Sequence, residues 1–123
     1  MASPVSKEKL STQLFRLEPR IRYVAVNQGG HLEEMEQSPA HPTYNPPESD
    51  VMEELIVNPT VLEIAARRGN IDMRGIRYVV IGYGTQFQLL MPYAQGHLSI
   101  GVELHDDPVE IAKKVTAALN LKA

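Results

Sequence analysis

The side chains best suited to chemistry in this sequence are four histidines and a run of carboxylates. The histidines are His31, His41, His97 and His105. No two share the i, i+4 spacing that puts metal ligands on one helical face, and no HExxH motif accompanies them. The chain has no cysteine, which excludes disulfides, thiolate nucleophiles and Cys-based metal sites. A metal site would therefore have to be assembled across the fold, and the histidines read as solvated or turn residues. Glu33, Glu34 and Glu36 lie close together, but general acid–base work requires a desolvated group. They read as a charged strand edge. Ser99 has no nucleophile-elbow motif around it. Gly82-Tyr83-Gly84 lacks a GxGxxG or Walker pattern, and no helix begins there, so it reads as a strand end. No catalytic, cofactor-binding or metal-ligating residue is assigned, no cofactor is implied, and no enzymatic activity is expected.

The remaining features describe a small α/β protein. The 123 residues, 43% of them hydrophobic, suit a single domain over 1–123 that buries roughly two thirds of its unfolded surface. The net charge of −3 argues against non-specific nucleic-acid binding, which needs excess Lys and Arg. No apolar run approaches the ~20 residues of a membrane span. Met1–Lys9 has no apolar core followed by a small-residue cleavage site, so no signal peptide is expected. The expected location is cytoplasmic.

Leu10, Leu14 and Leu17 fall on one face of a helix predicted over Ser3–Leu17 and ended by Pro19. Ile21–Val26 reads as a strand, Asn27-Gln28-Gly29-Gly30 as a hairpin turn, and His31–Glu36 as the return strand. Residues 37–49 hold Pro39, Pro42, Pro46 and Pro47 and read as an exposed proline-rich loop. Asp50–Arg68 is predicted helical, with Asp50 and Glu53 as a capping box and Gly69 as the stop. Pro59 predicts a kink or break there, with Asn58 displaced from helical geometry and free to cap the second half. Three strands follow, Gly75–Tyr83, Gln86–Met91 and His97–Leu104. Short turns join them into an antiparallel meander. The last helix starts at Asp107-Pro108, with Glu110 completing a capping box and Ile111, Val115, Ala118 and Leu119 on its apolar face.

This order resembles the roadblock (dynein light-chain) family, and small archaeal members in particular. The resemblance is carried by Arg22–Leu32 and by the helix-to-strand passage Ala65–Ile81. It spans about Leu10 to Leu119. It implies an α+β fold, roadblock/profilin-like, with a five-stranded antiparallel sheet and helices on both faces: the central helix on one, the terminal helices on the other. It also implies a homodimeric or heterodimeric scaffold serving a small GTPase, a motor or another signalling protein.

Charge and apolar patterning support pairing. Between Arg22 and Arg67 there is no Lys or Arg, whereas Arg67, Arg68, Arg74 and Arg77 then follow closely. On the central helix Val51, Leu55, Leu62 and Ala65 form one apolar stripe, and Val57, Val61 and Ile64 a second. So wide an apolar arc needs two covers. One is the sheet; a second copy is the expected other. The expected dimer interface is Val57, Val61, Ile64, Arg67, Arg68, Ile76, Tyr78 and Val80. An alternative is a small-molecule-sensing domain of profilin-like/PAS-like architecture, its cavity lined by Tyr23, Tyr78, Tyr83 and Tyr93.

Overall fold

The computed structural model describes residues 8–40 and 47–121. In chain order the elements are α1 (Leu10–Leu17), β1 (Ile21–Gln28), β2 (His31–Gln37) and α2 (Pro47–Met52). A π-helical turn (Glu53–Val57) then leads into α3 (Asn58–Asp72), followed by β3 (Val79–Gly82), β4 (Phe87–Tyr93), β5 (Gly96–Val102) and α4 (Pro108–Ala118). The five strands form one antiparallel sheet in the order β2-β1-β5-β4-β3. The expected α+β architecture is therefore what the chain adopts. The proposed start of α1 at Ser3 lies outside the described residues, as do His41 and the rest of 41–46 in the proline-rich segment.

One face of the sheet is apolar. Val24, Val26, Leu89, Met91, Leu98, Ile100 and Val102 meet Leu14 of α1 and Ile111, Ala112 and Val115 of α4, all nearly or wholly buried. Each such side chain contributes roughly 1.5–3 kcal/mol on leaving water. Asp107 fixes the start of α4 by accepting hydrogen bonds from the backbone N–H of Val109 (3.0 Å) and Glu110 (3.4 Å). Glu110 does not complete a capping box; its carboxylate pairs with Arg20 at 3.1 Å. Glu34 is not merely a solvated edge charge. Its carboxylate accepts from the backbone N–H of Leu10 (3.1 Å) and Ser11 (2.8 Å), satisfying first-turn donors of α1.

The central helix departs most from expectation. It runs from Pro47 to Asp72 without a break, and Asn58 is helical at φ −65° and ψ −45°. Pro59 has no N–H to donate. The π turn just upstream changes the hydrogen-bond step where the proline removes a donor, so the helix continues through Pro59. Pro47 stands in the first helical turn, where its missing N–H costs nothing. Gly69 does not stop the helix. It is buried three residues before the end, and its carbonyl accepts from Met73 (2.9 Å) and Gly75 (3.0 Å). A Cβ on Gly69 would lie 2.4 Å from the Gly75 carbonyl oxygen, so the closing turn requires glycine here. β3 is shorter than expected, because residues 75–78 form the turn out of the helix instead.

Candidate functional site

The second face of the sheet is unusual in being polar. Register places Tyr23, Ala25 and Asn27 of β1 beside Gly101, Ser99 and His97 of β5, and Gln88 and Leu90 of β4 beside Gly101 and Ser99. Alternation turns these residues to the side opposite Val24 and Ile100. The central helix covers them with Glu54, Asn58, Leu62 and Gly69, its buried positions.

Glu54 is the hub. It is fully buried, and burying a carboxylate is costly unless it is paired and hydrogen-bonded. Its carboxylate accepts from the Tyr23 hydroxyl at 2.9 Å and from Asn58 Nδ2 at 3.0 Å, and it meets His97 Nε2 at 2.9 Å. The Glu54 backbone carbonyl accepts from Asn27 Nδ2 at 3.3 Å. The cluster extends to Ser99, whose hydroxyl oxygen lies 3.4 Å from Asn58 Nδ2 and also accepts from Gln88. Asn58 Oδ1 is buried with no hydrogen-bond partner among the described residues. Burial first, and then the Glu54 charge, hold the Tyr23 phenol well above its ordinary range. Tyr23 is thus a donor to Glu54 and not an acid at neutral pH. At the helix start, burial raises Glu53 above the usual carboxylate range. Burial and a hydrogen bond with Glu53 push Tyr83 up to about 12.

Backbone approach shapes the cluster. The β1–β2 pairing shifts register between Val26 and Asn27, with Glu33 of β2 as the extra residue, a β-bulge on the outer strand. Gly96 lies so close to β1 that a Cβ would fall 1.7 Å from the Asn27 carbonyl oxygen. Beside the cluster opens a cavity of about 410 Å³ between the central helix and the turns joining β1 to β2 and β4 to β5. Leu55, Pro59, Leu62, Ala66, Ile76 and Pro92 give it apolar walls, and Asn27, Glu63, Gln95 and His97 contribute polar groups.

This geometry corrects three expectations. His97 is not a solvated histidine, being 3% exposed, whereas His31 and His105 are exposed. Tyr23, Tyr78, Tyr83 and Tyr93 do not line that cavity: Tyr23 serves Glu54, and Tyr78 and Tyr93 pack against the opposite apolar core. The stripe Val51, Leu55, Leu62 and Ala65 does not form the sheet-facing seam, for only Leu62 among them is fully buried.

Of the eight residues expected at a dimer interface, Ile64 is 65% exposed, and Val57 and Val61 are half-buried. Arg67 and Arg68 are exposed and pair within the helix with Glu63 (3.0 Å) and Asp72 (2.6 Å). Ile76 lines the cavity, whereas Tyr78 and Val80 pack against the α1/α4 core. Glu54 faces the chain's own sheet and is unavailable to a second copy.

The sequence carries a signal for this site that hydrophobicity alone does not expose. Glu54, Asn58 and Leu62 are spaced i, i+4 and i+8, while His97 and Ser99 alternate with the core residues Leu98 and Ile100. A carboxylate and an amide at the centre of a helical seam oppose a polar strand face. Apolar periodicity does not reveal that kind of matching.

The fold has a counterpart of known structure. A crystal structure of a Roadblock/LC7 domain from Streptomyces avermitilis superposes with a TM-score of 0.64 at 12% identity, covering 92% of this chain and 93% of that one. At that identity the likeness concerns the fold. No family model matches the sequence, and no curated protein sequence matches it.

Proposed function

We propose that this chain is a non-catalytic interaction module that pairs with a second copy of itself and presents the pair to another protein, such as a small GTPase or signalling partner, in the cytoplasm. The observation that carries the reading is the outer surface of the central helix. Met52, Ile56, Ile64 and Ile71 are 55–75% exposed there, an apolar set of the kind that marks an interaction site. The strand β3 stands at one edge of the sheet, paired among the described residues only to β4, and an edge strand offers its outer backbone groups for pairing. A two-fold contact would bring each of these surfaces against its own copy. Sealing of Glu54, Tyr23 and Asn58 from solvent supports a structural role for the buried cluster over a catalytic one. No helix among the described residues is long and apolar enough to cross a membrane.

Sedimentation equilibrium of the wild type and of Ile64→Glu and Val61→Glu tests the pairing. The wild type should be dimeric at roughly tens of micromolar, and either substitution should produce folded monomer. A monomeric wild type, or a dimer indifferent to both charges, would overturn the reading.

A further inference from the structure

We propose that the cavity beside the buried cluster is a binding site for a small organic amine with a compact apolar body. Its volume, about 410 Å³, lies at the small end of ligand sites, and its apolar walls with a few polar groups follow their usual composition. The chemistry of those polar groups selects the ligand. His97 meets the Glu54 carboxylate through Nε2. A carboxylate can only accept, so Nε2 carries the hydrogen. Nδ1 of the same ring makes no hydrogen bond among the described residues. In the neutral ring it is an acceptor that calls for a donor. Asn27 is already engaged at both ends, its amide donating to the Glu54 carbonyl and its oxygen accepting from the Gly30 N–H at 3.1 Å, and Gln95 can donate or accept and so does not discriminate between ligands.

Charge points the same way. The cavity has no Lys or Arg in its wall. Glu63 stands at its margin, one oxygen held by Arg67, and the Glu54 carboxylate lies directly behind the His97 ring. An ammonium group would meet the His97 acceptor and the Glu63 carboxylate, with the Glu54 charge behind the ring adding to the attraction, whereas a carboxylate would be repelled by both charges. The apolar body would fill the space between Leu62, Ala66 and Pro92.

The test uses the full chain and three probes of one shape: 2-phenylethylamine, 2-phenylethanol and 3-phenylpropionate, followed by titration calorimetry and amide chemical shifts. The amine should bind saturably, shift the amides of Leu55, Ala66 and Gly96, and bind more tightly than the alcohol, with the carboxylate last. Ala66→Phe should fill the cavity and abolish binding. The exposed substitution Glu63→Lys, which leaves the packing intact, should weaken the amine about fivefold and favour the carboxylate. No saturable binding at about millimolar concentration, a reversed order of probes, or undiminished binding in a folded Ala66→Phe protein would each overturn the proposal. So would a groove that binds no probe while Ala66→Phe alters the dimer equilibrium, since its occupant would then be the second copy.

Discussion

His97 Nε2 lies 2.9 Å from a carboxylate oxygen of Glu54, and the two side chains are 3% and 0% exposed. The contact joins β5 to the π turn of the central helix across 43 residues of sequence. Removing one member of such a pair leaves the other buried without its partner, which costs far more than the pair itself contributes. Glu54→Ala should destabilise the fold by about 3–5 kcal/mol. Glu54→Gln keeps the shape and an acceptor and should cost less. Urea midpoints of the two variants check this, and equal midpoints would show that the hydrogen-bond partners do not matter.

At α4 the expectation is an ordering. Asp107→Ala loses two capping hydrogen bonds and should cost ~1 kcal/mol. Ile111→Ala or Val115→Ala empties space in a fully buried core and should cost ~2–4 kcal/mol. Denaturant titration that ranked the cap variant as the worse would contradict the packing described.

Glu18 sets an acid limit. Hydrogen bonds from Arg20 above all, and from Lys114 (3.1 Å), hold its carboxyl down to about 2, well below the usual value of 4.5. The group is depressed in the folded state, so its stabilisation is fully present above the unfolded value. It is lost as pH falls from about 4.5 toward 2. The amount is on the order of 2 kcal/mol, reduced because Arg20 and Lys114 stay partly hydrated. Glu18→Gln should lower stability at neutral pH and flatten the slope across that window, as read by unfolding at successive pH values.

The glycines provide a control on close approach. Gly96→Ala, with 1.7 Å between the added carbon and the Asn27 oxygen, should abolish or severely impair folding. Gly69→Ala meets Gly75 backbone at 2.4 Å and should cost about 2 kcal/mol or more. Gly84→Ala meets nothing within 4 Å at ordinary φ and should be close to neutral. Thermal unfolding of the three proteins separates these outcomes.

Arg67→Glu and Arg68→Glu each break an exposed i, i+4 pair and should cost only about 0.3–0.5 kcal/mol in the monomer. Their effect on pairing should be small and largest at low salt. Sedimentation at two ionic strengths measures it.

Element order, strand direction and the apolar core were legible because they follow from period-2 and period-3.6 patterning, as in Leu98–Ile100–Val102 and Ile111–Val115. The Asp107 cap was legible because its chemistry is local. The unbroken central helix was not, since Pro59 signals a break unless the neighbouring turn changes its hydrogen-bond step. Nor was the Glu54 cluster. Its members come from β1, the central helix, β4 and β5, and an acid at position 54 has the same local appearance whether it meets water or Tyr23, Asn58 and His97.

The contrast between the two faces of the sheet makes the molecule a laminate whose layers respond to different conditions. The α1/α4 side adheres chiefly through hydrocarbon, an attraction that weakens on cooling. The central-helix side is held largely by oriented polar contacts around the Glu54 carboxylate, which cooling does not weaken in that way. Chilling therefore pries first at the α1/α4 surface of the five strands while the central-helix surface keeps its grip.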